Sequence, residues 1–446
     1  MKQLNNNHEK NVSLKPSKST SLMLIIGIVF IAANLRAPLT SVGSLVDLIR
    51  GSLHISNTLA GMITTLPLFA FAVFSPFAPK LARRFGTKLV LLWSLIFLMF
   101  GIILRSLSGV FGLFLGTAIL GLSISVGNVL IPSLIKGEFP ERVGVMTGIY
   151  SVSMNVFAAL ASGISIPIAG MGLGWAGALS IWAALTFLSI ILWIPQIKRR
   201  KHEMTIIEET ADIEIETDKE DIQEEIEKIE VVKGEVVEKV NLWKSPLAWQ
   251  VTIYMGLQSL VFYCMVAWLP DILIHQGMDS GKAGWMLSLM QLALIPITFV
   301  GSVLAGRKAN QRSLVIIGSL CVLVGFFGLL FGGSGFAFLW IIILGIGGGF
   351  TFSLSMMFFS LRTRNADEAA RLSGMAQSIG YLLAAFGPML LGFLYDSTNN
   401  WTLPLIMLIG VAVVCLFSGL GASRDLYVGL SQDSKTTRKY IVSNSD

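Results

Sequence analysis

The sequence predicts an all-α integral membrane protein with twelve transmembrane helices in two six-helix bundles that are related by an internal repeat. Three observations predict this class. The 446 residues are 54% hydrophobic and only 13% charged, whereas soluble domains average about a quarter charged residues. Apolar runs long enough to cross a bilayer recur along the chain. The two halves of the chain also resemble each other in sequence.

Twelve apolar segments are long enough to span a membrane. A helix rises about 1.5 Å per residue and a bilayer core is about 30 Å thick, so about twenty residues are required. The predicted spans are residues 21–49, 56–78, 88–108, 110–136, 142–169, 174–196, 245–274, 281–305, 313–333, 335–361, 371–395 and 401–422. Grouped into domains, these are a tail (1–20), a first bundle (21–196), a charged linker (197–244), a second bundle (245–422) and a second tail (423–446).

The Lys and Arg residues orient the spans, because cytoplasmic segments of membrane proteins are rich in both. With both termini in the cytoplasm, that side holds 29 of the 33 Lys and Arg residues. Only Arg50, Arg105 and Lys282 fall on the outer side, and Arg36 lies within a span. We therefore predict a multi-pass protein of the plasma membrane with both termini in the cytoplasm. Its net charge of +6 suggests contact with anionic lipid headgroups and not with nucleic acid.

The internal repeat is visible in corresponding segments of the two halves. The stretch SLVDLIRGSLHISNTLAGM at residues 44–62 resembles WLPDILIHQGMDSGKAGWM at residues 268–286, so that Asp47 matches Asp271 at an offset of 224. The basic loop after span two matches the loop after span eight at the same offset. Transporters are often built from such repeats, with the substrate site between them.

Several classes of function lack the residues they need. Cys264, Cys321 and Cys415 lie in apolar runs and are interpreted as small buried hydrophobes. The four histidines lie between or outside the apolar runs, so we predict no metal site and no cofactor. A membrane-embedded enzyme would need catalytic acids or histidines at depth, and we therefore predict that the protein is not an enzyme. The linker has fifteen acids between Glu203 and Glu238. A solvated tether is the simpler interpretation, with a regulatory role as the alternative.

Twelve helices in two groups of six, with a long middle loop, resemble the major facilitator superfamily of transporters. The stretch PKLARRFGTK at residues 79–88 resembles the loop motif G-x-x-x-D-R-x-G-R-K of that superfamily. Arg84, Gly86 and Lys88 fit this motif, whereas Arg83 stands where an aspartate is usual. The resemblance implies a cytoplasmic loop that connects two helices. The departure at Arg83 puts the superfamily's aspartate-based charge lock in question.

Three further stretches are similar to the cyanate permease and 2-nitroimidazole transporter (CynX/NimT) family. They are NLRAPLTSVGSL (34–45), GNVLIPSLIKGEFPERVGVMTGIYS (127–151) and GLQSLVFYCMVAWLPDIL (256–273). The resemblance implies a permease that moves a small molecule across the cell membrane. Since members of this family move different molecules, the family does not supply the substrate.

Arg36 is the only charged residue between Leu22 and Val46. It lies about 21 Å from one end of its apolar run and about 16 Å from the other, too deep for its charge to reach either surface easily. A charge at this depth costs about 2.5–3.5 kcal/mol, and no Asp or Glu lies at comparable depth in any predicted span. We therefore expect Arg36 to face a substrate. The alternative is that carbonyl and amide groups of the protein satisfy it.

Other polar residues at mid-depth complete the predicted substrate site. They are Asn34, Asn128, Tyr150 and Asn155 in the first bundle and Tyr254, Gln258, Gln377 and Tyr381 in the second. For each of them the alternative is hydrogen bonding between helices. Asp47 and Asp271, near the outer ends of spans one and seven, are candidates for coupling or gating and otherwise anchor helix ends.

The sequence thus predicts a secondary active transporter for a small anionic or polar acceptor-type solute. Two bundles would rock about a site at Arg36 in an alternating-access cycle. The expected partners are a small-molecule substrate and the lipid bilayer, with the protein as a monomer. A multidrug or nitro-compound exporter on the same fold and a transporter-like membrane sensor are the alternatives. Substrate, direction and coupling ion stay open.

Overall fold

A computed structural model describes residues 18–107, 109–197 and 241–429. These residues are helical almost throughout and contain no strand. The helices are α1 Lys18–Leu53, α2 Asn57–Phe74, α3 Ala78–Phe85, α4 Thr87–Leu107, α5 Gly109–Glu138, α6 Val143–Ile168, α7 Gly174–Ser180, α8 Trp182–Ile197, α9 Pro246–His275, α10 Ser280–Arg307, α11 Arg312–Phe331, α12 Ala337–Leu361, α13 Ala366–Thr398 and α14 Thr402–Ala422. Most of the predicted linker, residues 197–244, and most of both tails lie outside the described residues.

The predicted fold class is confirmed. Ten segments of the described chain are individually long and apolar enough to cross a membrane. An eleventh is formed by α2 and α3, which are bent by 55° with respect to each other. One of the ten, Pro140–Ser180, runs through α6 and α7, and the shorter apolar helix α8 follows it after a break at Ile181.

The start of α13 differs from the prediction, which placed it at residue 371. Asn365 adopts an extended conformation, and its side chain accepts a hydrogen bond from the main-chain N–H of Glu368 at 2.9 Å. The Glu368 carboxylate in turn accepts one from the main-chain N–H of Arg364 at 2.8 Å. Capping of this kind satisfies N–H groups that have no partner within the helix. The helix therefore begins at Ala366, before its apolar stretch.

Helix packing repeats from one bundle to the other. In the first bundle α1 packs on α6, α2 on α5, and α4 on α5. In the second bundle the corresponding pairs are α9 on α13, α10 on α12, and α11 on α12. The main contacts between bundles follow the same symmetry, since α2 packs on α13 and α10 packs on α6. The internal repeat seen in the sequence is therefore a repeat of structure.

Hydrogen bonds between the bundles concentrate near the end of the molecule where α5, α10 and α12 terminate. This end carries Arg83, Lys136, Arg307 and Arg362, and we call it the basic end. Six hydrogen bonds between described residues cross from one bundle to the other here, each from a side chain to a main-chain carbonyl. The donors are Ser133, Lys136 (twice), Ser360, Gln377 and Ser378, and the acceptors are Ala366, Ser360, Thr363, Pro132, Asn128 and Ala72.

The bundles also approach at the level of the backbone at the basic end. A Cβ atom added at Gly144 in α6 would lie 2.8 Å from the carbonyl oxygen of Ser302 and 3.1 Å from the Cα atom of Gly306 in α10. No side chain larger than hydrogen fits there without moving the helices. The basic end is therefore tightly closed.

Candidate functional site

Arg36 lies in the middle of α1 and is half-buried between the two bundles. Its guanidinium carbon is 5.1 Å from the ring centroid of Phe262 in α9 and 5.3 Å from that of Phe352 in α12. Both distances are in the range of a cation–π contact. Among the described residues the guanidinium donates no hydrogen bond to a protein acceptor and pairs with no carboxylate. Its N–H groups therefore remain available to a solute.

Arg362 shows how this protein satisfies a structural arginine. Its guanidinium donates to the carbonyl oxygens of Ala422 at 2.8 Å and Ser423 at 3.2 Å, and to the side chain of Gln311. Asp425 lies 3.8 Å away. Burial lowers the pKa of Arg362 to about 10, so it remains charged at neutral pH. The full set of partners at Arg362 contrasts with the free donors of Arg36.

A cavity adjoins Arg36 and extends into the second bundle. It encloses about 510 Å³ of empty space, including space continuous with solvent. About 40 Å³ of this is open to the centre of a water-sized molecule, several times what one water requires. Its polar lining consists of Arg36, Asn155, Gln258 and Thr351, and its apolar lining of Val261, Phe262, Met265, Met290, Leu294, Val322, Leu344, Gly345, Gly348 and Phe352. The lining suits a small solute with a polar group directed at Arg36.

Three tyrosines lie within electrostatic range of the Arg36 guanidinium: Tyr150 in α6, Tyr263 in α9 and Tyr381 in α13. Tyr150 is completely buried, and its hydroxyl has no hydrogen-bond partner in the described structure. The Tyr381 ring packs on Phe71 with 4.9 Å between the centroids. The charge of Arg36 therefore acts on phenol groups, and no carboxylate among the described residues pairs with it.

Asn155 and Gln258 are the predicted amides that line the cavity. The Asn155 side chain donates to the carbonyl oxygen of Ser151 at 2.9 Å, and the Gln258 side chain donates to the hydroxyl of Ser259 at 2.8 Å. Each of these bonds uses the amide nitrogen, so neither occupies the amide oxygen. One amide comes from each bundle, as the repeat predicted for a site at the interface.

Asn34 is not brought into the cavity. It is completely buried, donates to Ser189 at 2.7 Å and accepts from Thr186 at 2.6 Å. Both partners are on α8, so the alternative interpretation, a hydrogen bond between helices, describes Asn34. Tyr254 also lies away from the cavity. Its ring packs 5.5 Å from that of Phe358, inside the second bundle.

Asn128 and Gln377 meet each other instead of the cavity. The side chain of Gln377 donates to the carbonyl oxygen of Asn128 at 2.9 Å and to the hydroxyl of Ser373 at 2.7 Å. These two predicted residues belong to the interface that closes the basic end. The contact uses the Gln377 side chain and the main-chain carbonyl of Asn128, and the role of both residues in substrate binding stays a prediction.

Few contacts are described for the two aspartates that were predicted to act in coupling or gating. Asp271 is exposed, four residues before the end of α9. Asp47 belongs to α1, and the position of its side chain lies outside the described part of the structure. Their proposed role in coupling or gating stays a prediction.

Most of the predicted loop motif is helical, since residues 79–85 belong to α3 and only Gly86 lies between α3 and α4. Gly86 joins α3 to α4 with φ 85°, in the left-handed region that favours glycine. Lys88 pairs with Glu138 at 2.7 Å, and Arg83 lies 3.8 Å from Asp367 of the second bundle, while Arg84 is exposed. In the Arg83–Asp367 pair the first bundle supplies the arginine and the second bundle supplies the aspartate. In the superfamily motif the aspartate stands at the position of Arg83, in the first bundle.

Several residues around Arg36 were missed by sequence reasoning. Phe352 lies in the apolar run GGGFTFSLS of α12, where no periodicity marks the face that meets Arg36. Tyr263 directly follows Phe262 in the apolar segment of α9, where nothing in the sequence distinguishes it from the neighbouring aromatic residues. Arg105 was predicted near the outer side of the membrane, and its side chain is completely buried in the first bundle, two residues before the end of α4.

Two repeated bundles, a closed basic end and a central cavity with a free cation define a polytopic membrane transporter. The chain belongs to the Major Facilitator Superfamily, whose family model matches residues 22–388. It is 45% identical to an uncharacterized transporter, YycB, of Bacillus subtilis (strain 168), over 94% of this chain and 98% of that one. It is 38% identical to the 2-nitroimidazole transporter of Escherichia coli (strain K12), over 92% and 97% of the two chains.

The more distant matches agree with these. The cyanate transport protein CynX of Escherichia coli (strain K12) is 24% identical over 88% of this chain and 96% of its own. Among solved structures, the proton:xylose symporter XylE superimposes with a TM-score of 0.69 over 92% of this chain and 98% of that chain, at 13% identity. The resemblance to the CynX/NimT family is confirmed, and the protein is a membrane transporter and not an enzyme.

Proposed function

We propose that the protein is a secondary active transporter for a small anionic or polar acceptor-type solute that binds at Arg36. The observation that carries this is the guanidinium of Arg36, which faces a cavity without a protein acceptor. A planar guanidinium presents two parallel N–H donors, which match two oxygens of a carboxylate, nitro or nitrite group. Phe262 and Phe352 contact the guanidinium carbon, so its edge is left to the solute.

The arrangement of contacts supports an alternating-access cycle. The hydrogen bonds between the bundles all lie within about 16 Å of the basic end. The cavity begins at about 16 Å from the basic end and extends toward the opposite end of the molecule. The positive-inside rule assigns the basic end to the cytoplasm. The structure then corresponds to a state closed toward the cytoplasm, and transport requires the hydrogen bonds at the basic end to break.

Uptake into liposomes tests this proposal. The purified protein would be assayed with cyanate, nitrite and 2-nitroimidazole, with and without a proton gradient. We expect saturable uptake of at least one of these solutes, reduced by about tenfold or more in Arg36→Gln and less in Arg36→Lys, which keeps the charge but not the fork. Arg142→Gln, at an exposed arginine, is the matched control. Unchanged transport by both Arg36 variants would contradict the proposed site.

Export of nitro compounds is a second candidate. It rests on the ten apolar residues among the fourteen that line the cavity and on the similarity to a 2-nitroimidazole transporter. A neutral aromatic solute would gain most of its binding energy from the apolar wall. Export predicts 2-nitroimidazole flux that depends weakly on Arg36 and is driven from the side of the basic end.

A further inference from the structure

A second arginine lies inside the first bundle, near the transport site. Arg105 in α4 is completely buried. One of its terminal nitrogens, Nη1, donates to the main-chain carbonyl oxygen of Pro38 at 2.7 Å. Its Nε and Nη2 groups are buried and have no acceptor in the described structure. A guanidinium in this position is held at one point and is otherwise unsatisfied.

The charge of Arg105 has no counterion among the described residues. No ion pair joins it to a carboxylate, and its one acceptor, the Pro38 carbonyl, also accepts from the hydroxyl of Ser41 at 3.2 Å. Because mobile ions and water do not screen a buried charge efficiently, its field extends further than that of a surface residue.

The carbonyl that holds Arg105 places this charge behind the substrate site. Pro38 follows Arg36 by two residues on α1. The guanidinium of Arg105 therefore contacts the helix turn that carries Arg36, while Arg36 itself extends toward the second bundle. Two positive charges flank one turn of α1, and only Arg36 lines the cavity.

We propose that Arg105 is a specificity-determining residue that acts without touching the solute: its fixed charge raises the positive potential of the cavity and so favours anions. This inference rests on the proposed function, because it assigns Arg105 a role at the Arg36 site. In a purely structural role, Arg105 would only anchor α1 through Pro38. That role would require the hydrogen bond to the Pro38 carbonyl and not the positive charge of Arg105.

The potential can be measured without knowing the substrate. Gly348 lines the same cavity as Arg36, and a Cβ atom there would meet only Leu294 Cδ1 at 3.4 Å, an ordinary contact. Gly348→Cys therefore places a thiol on the cavity wall. The rates of its reaction with an anionic sulfonatoethyl and a cationic trimethylammonioethyl methanethiosulfonate would be compared. The protein without this cysteine gives the background from Cys264, Cys321 and Cys415.

We expect Arg105→Met to lower the ratio of the anionic to the cationic reagent rate by about tenfold or more, because removing one buried positive charge slows the anionic reagent and speeds the cationic one. Arg105→Lys is expected to keep the ratio within about twofold. Size-exclusion chromatography selects folded protein for each variant, and Arg105→Gln replaces Arg105→Met if that variant does not fold.

An unchanged ratio in the uncharged variant would overturn the proposal. An equal fall of the reagent ratio in Arg105→Lys would overturn the proposal as well, since the fall would then result from changed packing and not from the lost charge. The apparent KM for cyanate is expected to rise in Arg105→Met with a smaller change in kcat. Failure of the parent protein to take up any anion, with the reagent ratio behaving as expected, would contradict the proposed function and leave the electrostatic role of Arg105 in place.

Discussion

The ammonium nitrogen of Lys136 lies 2.8 Å from the main-chain carbonyl oxygen of Thr363, and the two residues belong to different bundles. A second bond joins the same nitrogen to the carbonyl oxygen of Ser360 at 2.7 Å. These carbonyls are at the C-terminal end of α12, where unpaired oxygens and the helix dipole favour a cation. Lys136 thus closes the basic end by capping a helix of the opposite bundle.

A disulfide across the same end tests whether this closed state must open during transport. The Cβ atom that Gly137 would carry lies 3.5 Å from the Cβ atom of Ala366, within the range of disulfides. We expect Gly137→Cys/Ala366→Cys to cross-link on mild oxidation, to lose most solute uptake, and to recover it on reduction. Each single cysteine variant is the control. Normal uptake by the fully cross-linked protein would mean that the basic end need not open.

Removing the Lys136 cap should shift the protein toward conformations open at the basic end. In the Gly137→Cys/Ala366→Cys background, Lys136→Gln is expected to slow cross-linking several-fold, because two charge-assisted bonds are lost. Arg83→Gln, which removes an exposed contact of 3.8 Å, should change the rate by less than about twofold, since such pairs contribute about 0–1 kcal/mol. Equal effects of the two substitutions would contradict the role given to Lys136.

Close approach of α6 and α10 makes Gly144 a sensitive position. Gly144→Ala would place a Cβ atom 2.8 Å from the carbonyl oxygen of Ser302, so the bundles cannot close fully at the basic end. We expect uptake to fall several-fold. Gly163→Ala is the matched control, because it lies on the same helix and its Cβ would meet nothing within 4 Å. Solute uptake and the rate of cross-linking at the basic end would be measured for both variants.

Substitutions of Asn34 and Asn155 should distinguish a structural amide from an amide that lines the substrate site. Asn34→Ala loses bonds to Thr186 and Ser189, and at about 0.6 kcal/mol each in a membrane it should lower thermal stability by about 1 kcal/mol without changing KM. Asn155→Ala is expected to raise KM with little effect on stability. Thermal melting in detergent and uptake kinetics give the two quantities. A raised KM in Asn34→Ala would contradict this and would indicate that Asn34 takes part in substrate binding.

The sequence predicted the fold because bilayer thickness and loop charge constrain it directly. Apolar segments of span length and the bias of Lys and Arg required no knowledge of tertiary contacts. Helix boundaries were less accurate where a local cap decides them, as Asn365 does for α13. The sequence also predicted from its depth and from the absence of acids that Arg36 faces a substrate; its side chain lines the cavity, and its role in binding stays a prediction.

The partners of the site could not be predicted, because they depend on which face of each helix meets the other bundle. Polar residues at mid-depth looked alike in sequence, yet Asn155 lines the cavity and Asn34 bonds to α8. Phe352 is one aromatic residue among many in apolar helices. The contacts of Arg105 could not be predicted either, because its burial and its bond to Pro38 are tertiary features.

The hydrogen bonds at the basic end have a consequence for how this interface tolerates evolution. Each acceptor between described residues is a main-chain carbonyl, such as those of Ala72, Pro132 and Ala366. Every amino acid supplies that carbonyl, so the acceptor positions are free to drift without breaking the closure. These hydrogen bonds therefore constrain the donor side chains and leave the side chains of the acceptor residues unspecified.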